Sequence, residues 1–287
     1  MLFSLVRQSR EGHIEALKSL SDIGYDGVEL LGNNTAGLSR PDFKKYLSDL
    51  NLDVVSSHGL RTDEDFEFAV DLGIRYCAIP YNPLGGHEEG QAKLLRQCEE
   101  WNEYGKKAAK HGLKAVIHNH AEEFWWVDDK EGGMRIYDFY IQNTDPKFVN
   151  FQLDVGWAMR ANIKCEEYIE KYPGRFPLIH IKECAYVAKT REETEHFPAK
   201  VVALGPPKMI NGVPHFTDEQ KRLLDESRMW NVALGKGIVD FPAIVKAAEA
   251  QGCDAYISER ECYHLPEVPD SDPVKCAELD YEYLRSL

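Results

Sequence analysis

Four apolar runs of the chain each end on a side chain that can bind a divalent metal ion. They are His118 in Val-Ile-His-Asn-His, Asp154 in Phe-Gln-Leu-Asp-Val-Gly-Trp, His180 in Leu-Ile-His-Ile-Lys-Glu and Glu259 in Ala-Tyr-Ile-Ser-Glu-Arg-Glu. A parallel barrel brings the carboxyl ends of neighbouring strands to one mouth, so these groups are predicted to converge. Two imidazoles and two carboxylates suit a borderline-hard ion such as Mn, Co, Zn or Mg. The set therefore predicts a divalent-metal enzyme.

The expected burial of these groups strengthens the metal hypothesis for Asp154, His180 and Glu259. Carboxylates resist burial unless they are paired or bound to a metal, and each would cost several kcal/mol without an ion. His118 is less strongly indicated, because His120 shares its strand face and Glu123 follows five residues later. The ligand from this strand is therefore either His118 or Glu123.

Further polar and aromatic side chains are predicted to face the same mouth. Lys182 follows His180 by two residues and shares its face; it is a candidate acid or electrophile for a sugar oxygen, or else a lysine that reaches solvent at the rim. Glu29 and His58 close the second and third predicted strands, which makes them candidate substrate contacts or acid–base groups. Trp157 follows the sixth strand, where an aromatic face can stack on a sugar ring or simply pack.

A recurring sequence pattern marks where each predicted helix ends and the next predicted strand begins. A helix-like pattern is followed by a glycine, two residues and an apolar run at Gly24, Gly73, Gly112 and Gly252. Each glycine is suited to end a helix in the left-handed conformation. Strands are predicted at 1–6, 26–31, 52–57, 75–80, 113–118, 148–154, 176–182 and 254–259. Helices are predicted at 10–23, 40–50, 62–72, 92–111, 164–172, 240–251 and 270–286.

Eight alternating strand and helix units favour a closed (β/α)8 TIM barrel over an open doubly wound sheet. The length of 287 residues fits a single domain over 1–287. The connection after the seventh predicted strand is exceptional, because the inserted loop 183–234 is much longer than a barrel needs. Loops of that length are usually lids, binding loops or contact arms. Since this loop starts at the catalytic mouth, we expect a lid or a subunit-contact arm.

Composition excludes several classes of function. The net charge of −14 repels polyanions and argues against a nucleic-acid partner. No apolar stretch approaches the ~20 residues that span a bilayer, and the first residues turn polar too soon for a signal peptide. Seven cysteines without a Cys-x-x-Cys pair fit reduced thiols. We expect a cytoplasmic protein without a membrane partner.

Specific motifs follow one another along almost the whole chain. They are Phe3-Ser4-Leu5-Val6-Arg7, Gly24-Tyr25-Asp26-Gly27-Val28-Glu29, Val55-Ser56-Ser57-His58, His118-Asn119-His120 with Glu123-Phe124, Leu153-Asp154-Val155-Gly156-Trp157, His180-Ile181-Lys182-Glu183, Gly235-Lys236-Gly237 with Val239-Asp240-Phe241, and Ser258-Glu259. This ordered set resembles the sugar phosphate isomerase/epimerase superfamily, the xylose isomerase-like TIM barrels. The chain resembles its His-Asn-His branch in particular.

The resemblance implies one divalent ion, Mn first and Zn, Co or Mg as alternatives, and metal-assisted proton transfer beside a carbonyl. In the similar ketose epimerases the ligand from the fifth strand is a glutamate that also moves a proton, and His118 stands in its place here. A symmetric two-glutamate epimerisation then lacks one base unless Glu123 supplies it. Members with His-Asn-His look more like dehydratases, lyases and enzymes that process 3-keto-sugars and glycosides.

Our main hypothesis is a metal-dependent sugar isomerase or epimerase that acts on a keto-sugar, cyclitol or sugar conjugate. Glu259 or Glu123 would remove the proton, and Lys182 or a histidine such as His120 would protonate or stabilise the departing oxygen. The alternative is a lyase or dehydratase of the same superfamily, of the inosose dehydratase or 3-keto-glycoside and C-glycoside deglycosidase type.

Two remoter alternatives are an endonuclease IV-like DNA-repair enzyme and a non-catalytic sugar-binding barrel. The first needs a basic face, which the net charge of −14 opposes. The second would be expected to have lost a metal ligand, and none of the four is missing. The expected partners are a small-molecule sugar or sugar conjugate and further copies of the chain, with or without a second type of subunit.

Overall fold

The computed structural model describes residues 10–80, 90–129, 131–210, 213–261 and 272–287. The strands are β1 (Gly27–Leu31), β2 (Asp53–His58), β3 (Tyr76–Ala78), β4 (Lys114–His118), β5 (Val149–Asp154), β6 (Leu178–Ile181), β7 (Lys208–Ile210), β8 (Val213–His215) and β9 (Ala255–Ser258). Seven of them pair in parallel in the order β1-β2-β3-β4-β5-β6-β9 and make a nearly closed barrel. The predicted TIM barrel is confirmed, and the predicted strand 1–6 lies outside the described residues.

Helices surround this sheet and connect its strands. They are α1 (Arg10–Ile23), α2 (Arg40–Asp49), α3 (Asp63–Leu72), α4 (Gly90–Lys110), α5 (Ile136–Asn143), α6 (Val155–Arg160), α7 (Cys165–Lys171), α8 (Ala199–Val202), α9 (Asp218–Ser227), α10 (Phe241–Ala250) and α11 (Pro273–Leu284), with 3-10 turns at Glu122–Phe124, Val127–Asp129 and Glu192–Thr194. The seven predicted helices correspond to α1 to α4, α7, α10 and α11, and their bounds agree within three residues. None of the described helices combines the length and hydropathy that a membrane crossing requires.

Local sequence signals fix the ends of these helices. Thr62 and Asp65 form a capping box at the start of α3, where each side chain accepts a backbone N–H. The φ angles of the four glycines of the helix-to-strand pattern are 111° at Gly24, 80° at Gly73, 83° at Gly112 and 81° at Gly252, so all four are left-handed as predicted. Because a side chain would be strained there, glycine lets each helix stop and the chain turn into the next strand.

The barrel interior has an apolar floor and a polar upper layer. The floor is the buried cluster of Tyr76, Ala78, Val116, Leu178 and Ile257. Side chains alternate between the two faces of a strand, so the inward residues two positions further along β4, β6 and β9 stand one layer higher. Those residues are His118, His180 and Glu259. The alternation of the strands therefore carries the chemical groups to the carboxyl mouth.

The segment between β6 and α10 carries secondary structure of its own. It contains the 3-10 turn Glu192–Thr194, α8, the antiparallel hairpin β7-β8 and α9. A capping box of Thr217 and Gln220 starts α9. The prediction of 183–234 as a loop did not include these elements, and the 3-10 turn, α8, β7 and β8 are each too short to give a clear apolar period. The described cysteines, Cys77, Cys98, Cys165, Cys184, Cys253 and Cys276, form no disulfide.

Candidate metal centre and active site

The four residues predicted to bind a metal meet at the mouth of the barrel. His118 and Asp154 are the last residues of β4 and β5, His180 is paired in register with Asp154, and Glu259 directly follows β9. One ligand atom from each residue lies within 4.8 Å of the others. Nε2 of His118 is 3.9 Å from Oδ2 of Asp154, and Nδ1 of His180 is 2.9 Å from Oε2 of Glu259. The strand order alone thus brings together residues as far apart as 118 and 259.

Backbone contacts hold Asp154 in place. Its Oδ1 accepts the N–H of Trp157 at 2.8 Å, so Asp154 is the N-cap of α6. The side chain of Asn119 accepts the N–H of Asp154 at 2.9 Å and donates to its carbonyl oxygen at 3.2 Å. The tip of β5 is therefore tied both to the next helix and to the tip of β4. The other carboxylate oxygen, Oδ2, faces Nε2 of His118 and Nζ of Lys182.

Lys182 lies inside the site and not at the solvent-exposed rim, since its side chain is 1% exposed. Its Nζ is 3.0 Å from Oδ2 of Asp154, 3.1 Å from Oε2 of Glu259 and 3.1 Å from Oε2 of Glu261. A Cβ atom on Gly156 would stand 2.6 Å from Cγ of Lys182. Glycine at position 156 is therefore required for this lysine to pass α6 and reach the carboxylates.

The ionisable side chains of the site differ in their protonation state. Burial lowers the pKa of Lys182, but the carboxylates of Asp154 and Glu259 outweigh it and raise the pKa above its usual value. Burial raises the pKa of Glu259, but Lys182 and His180 hold it well below the usual range. Burial raises the pKa of Asp154 to about 6. Burial and the neighbouring imidazole of His180 keep the pKa of His118 well below its usual value, so His118 is neutral.

The residues present fit a divalent ion. Nε2 of His118 lies 3.9 Å from Oδ2 of Asp154, too far for a hydrogen bond. Oδ2 of Asp154 accepts no well-aligned hydrogen bond among the described residues, although Lys182 lies close. Buried polar atoms without partners are costly unless an ion or a ligand satisfies them. A neutral imidazole and an open carboxylate oxygen are suitable donors for Mn, Zn or Co.

Glu29 and His58 lie next to this group, but at different depths. Glu29 is the third residue of β1 and 1% exposed, so it lies below the rim. Its carboxylate accepts from Nε2 of His58 at 3.0 Å and from Nε2 of His180 at 2.8 Å. Burial raises the pKa of Glu29, but these two imidazoles outweigh it and hold the pKa well below its usual value. His58 ends β2 and is partly exposed.

His120 and Glu123 belong to a second cluster, beyond β4. His120, Glu122 and Glu123 bring ligand-type atoms within 4.8 Å of one another, apart from the group that contains His118. Oε2 of Glu123 accepts the N–H of His120 at 2.8 Å. Burial raises the pKa of Glu123 to about 7 and, together with the charge of Glu123, that of Glu122 to about 8. Of the two candidate ligands from this part of the chain, His118 and Glu123, the structure places His118 beside Asp154, His180 and Glu259.

Trp157 is buried beneath the site in this structure. Its side chain is 1% exposed and meets Trp230 edge to face at 4.5 Å. Nζ of Lys182 lies 5.4 Å from the centre of its ring. Trp157 therefore packs under Lys182, and its ring has no open face for stacking a sugar.

Three residues of the site had no role in the sequence analysis. Glu261 contacts Lys182 and also lies 3.3 Å from Nη1 of Arg228, in the segment after α9. His196, from the same inserted region, stacks on His120 with ring centroids 3.8 Å apart. Glu261 could have been found, because it follows Glu259 by two residues and so shares its face. Nothing in the local sequence marks Arg228 or His196.

Comparison with known proteins identifies the family. The family model described as "Xylose isomerase-like TIM barrel" matches residues 17–287. The chain belongs to this family. Its resemblance to the sugar phosphate isomerase/epimerase superfamily is thereby confirmed. No protein with a curated description matches the chain.

Solved structures share the xylose isomerase-like fold over nearly the full chain. A sugar phosphate isomerase/epimerase from Parabacteroides distasonis has a TM-score of 0.69 at 23% identity, covering 99% of this chain and 91% of that one. A probable 3-DHS dehydratase from Bacillus anthracis has a TM-score of 0.66 at 13% identity, covering 99% and 96%. An IOLI protein with a zinc atom has a TM-score of 0.59 at 14% identity, covering 94% and 90%. At these identities the likeness shows the fold alone.

Proposed function

We propose that the protein is a divalent-metal-dependent isomerase or epimerase that moves a proton on a carbon beside the carbonyl of a keto-sugar, cyclitol or sugar conjugate. The observation that carries the proposal is the convergence of His118, Asp154, His180 and Glu259 around the buried ammonium of Lys182. The sugar phosphate isomerase/epimerase among the structural neighbours supports the substrate class, and the neighbour with zinc supports a metal.

Each residue has a role that its surroundings suit. His118, Asp154, His180 and Glu259 would hold one ion, with Mn first and Zn, Co or Mg as alternatives. When bound, the ion polarises a carbonyl and an adjacent hydroxyl and so acidifies the shared C–H bond. Glu259, held ionised by Lys182 and His180, would accept that proton. Lys182, a buried cation, would donate to or stabilise the substrate oxygen.

Solvent exchange tests the proposal without knowledge of the product. The protein is incubated in D2O with Mn, Co, Zn or Mg and a panel of ketoses, inososes and 3-keto-glucosides, and NMR follows deuterium entry beside the carbonyl. Exchange that requires the ion and is lost in Glu259→Gln is expected for at least one substrate class. Full exchange after chelation, or none on any substrate with any ion, would refute the proposal.

A lyase or dehydratase is the second candidate, and the position of Glu123 favours it. A symmetric epimerisation uses two carboxylates, whereas Glu123 lies in the separate cluster with His120 and Glu122. Its Oε2 accepts the N–H of His120 at 2.8 Å, so the structure holds this carboxylate in the second cluster and away from Glu259. One base and one acid suffice for elimination, and a dehydratase is among the structural neighbours. Loss of water or of an aglycone in the same NMR experiment would identify this reaction.

The inserted segment is proposed to cover the site. Residues 188–197 lie across the loops that follow β4 and β5, because Thr194 accepts from Nε1 of Trp125 at 2.8 Å and Glu122 accepts the N–H of His196 at 2.5 Å. Arg160, at the end of α6, accepts the N–H of Ala188 through its carbonyl oxygen. These contacts support a lid. The more distant α8, β7, β8 and α9 are the part of the insert that would contact another subunit.

A further inference from the structure

Glu29 has no free capacity to bind a substrate. Its carboxylate accepts from four side chains: Oγ of Ser56, Nε2 of His58, Nε2 of Gln152 and Nε2 of His180. A carboxylate offers about four lone-pair positions. Because every position faces a donor, Glu29 is neither a substrate contact nor a base for the reaction. Its contacts explain why a charged side chain lies below the rim of the barrel.

The same contacts decide which nitrogen of two imidazoles carries hydrogen. A carboxylate surrounded by donors is an acceptor only, so Nε2 of His58 and Nε2 of His180 must each donate to Glu29. In a neutral ring the lone pair then lies on Nδ1. For His180 this is the nitrogen that lies 2.9 Å from Oε2 of Glu259, where it donates in the metal-free protein and where a bound ion would take the place of its hydrogen. Because Nε2–H is held by Glu29, Nδ1 is the nitrogen of His180 that lies among the four candidate metal ligands.

We infer that Glu29 is a positioning residue that fixes the Nε2–H tautomer of both His180 and His58, and so presents Nδ1 of His180 to the metal ion and Nδ1 of His58 as an acceptor. The inference rests on the proposed function for its metal part. Carboxylate, histidine and metal form such an arrangement in many metal sites, where loss of the outer partner lowers metal affinity by about 10- to 100-fold. Here one carboxylate, contributed by β1, serves two imidazoles from β2 and β6.

Metal titration provides the first test. Glu29→Gln keeps the shape of the side chain but adds an N–H2 group that opposes the imidazole N–H donors. We expect its affinity for Mn2+ and Zn2+, measured by calorimetry, to fall by about 10- to 100-fold. Glu29→Asp keeps the charge and should recover part of the loss. It also replaces Glu29→Gln as the test variant if the latter does not fold.

The matched control is Asp138→Asn. Asp138 is likewise buried and accepts three hydrogen bonds, from Tyr168 at 2.9 Å, Lys171 at 2.7 Å and Tyr172 at 2.6 Å. It belongs to α5, however, and ties that helix to α7 outside the barrel. Asp138→Asn should lower the melting temperature and leave metal affinity unchanged. A drop in affinity for both variants would show that Glu29 acts through stability alone, and would overturn the inference.

Tautomers are read directly by NMR of protein labelled with nitrogen-15 histidine. In zinc-loaded wild type we expect Nε2 of His180 to retain its hydrogen, and in metal-free wild type we expect the same of Nε2 of His58. Glu29→Gln should weaken or shift both signals. If wild type binds no metal, the proposed function and the His180 part both fail, while the His58 spectra still test the tautomer. If Glu29→Gln binds metal as tightly as wild type with unchanged spectra, only the role of Glu29 is refuted.

Discussion

Glu259 and Asp154 are both buried carboxylates of the metal group, but their contacts suit different roles. Oδ1 of Asp154 caps α6, whereas Oε2 of Glu259 contacts the side chains of His180 and Lys182. Glu259→Gln should therefore reduce turnover by about two to four orders of magnitude, the usual worth of a general base. Metal affinity should fall only modestly. Steady-state kinetics at saturating metal measure the first and calorimetry the second.

Asp154→Asn is the companion variant. Asparagine is also a good N-cap, so α6 should remain intact. The loss of charge should weaken the metal first, and excess metal should restore part of the activity. If Glu259→Gln turned over normally at saturating metal, the proton would have to go to Glu123, His120 or Lys182.

Metal binding should strengthen with pH, because the free protein holds protons that an ion must displace. Burial lowers the pKa of His180, but Glu29 and Glu259 outweigh it and raise the pKa to about 9; burial raises that of Asp154 to about 6. Metals bind deprotonated ligands, so affinity should rise by up to about tenfold per pH unit between these pKa values, where His180 still carries a proton and Asp154 does not. Calorimetry in buffers of different ionisation heat counts the protons, and an affinity independent of pH would contradict the assignment of His180 as a ligand.

At the scale of elements, the insert has two parts that can be tested separately. Residues 188–197 contact the loops beyond β4 and β5, whereas residues 206–215 contain the β7-β8 hairpin. Replacing 188–197 by a glycine-serine segment of equal length should lower kcat/KM by about ten- to hundredfold, because substrate positioning is lost. The barrel should stay folded by circular dichroism.

The equal-length replacement of 206–215 is the matched control for the lid. It should leave kcat/KM unchanged, and a change in oligomer size by light scattering would identify the hairpin as a contact arm. Equal activity of both variants and wild type, with unchanged assembly, would mean that the insert has neither role.

At the scale of the whole molecule, the buried carboxylates would make stability depend on a bound ion. Asp154, Glu259 and Glu261 contact Lys182, and Glu261 also contacts Arg228, so three carboxylates face two permanent cations there. An ion that binds only the folded state adds about 2.7 kcal/mol at one hundred times its dissociation constant. For a domain near this size, each kcal/mol shifts the melting temperature by about 2–4 °C.

We therefore expect Mn2+ to raise the melting temperature of the protein by several degrees and a chelator to reverse the shift. Scanning calorimetry with Asp154→Asn as control measures it. An equal shift in Asp154→Asn would place the ion elsewhere on the protein. No shift in either protein, at concentrations far above the dissociation constant, would argue against a structural contribution of the metal.

The sequence by itself predicted the barrel and the four candidate metal ligands that meet at its mouth. Strand alternation places every second residue inside, and parallel strands present their carboxyl ends at one mouth, so His118, Asp154, His180 and Glu259 could be predicted from their positions in apolar runs. The four glycines that end helices could also be predicted, since a left-handed helix end favours glycine whatever surrounds it. These signals lie in short stretches of sequence and do not depend on which residues pack against them in the folded protein.

Only the tertiary structure decided what each polar group contacts. Glu29 and His180 are 151 residues apart in sequence and meet through the barrel interior. Lys182 turned out to be buried among three carboxylates, and His196 reaches His120 from an insert whose path no periodic pattern specifies. Hydrogen-bond partners depend on the positions of side chains from separate elements at ångström scale. The periodicity of a sequence fixes the face on which a residue lies, and packing of the whole chain fixes its partner.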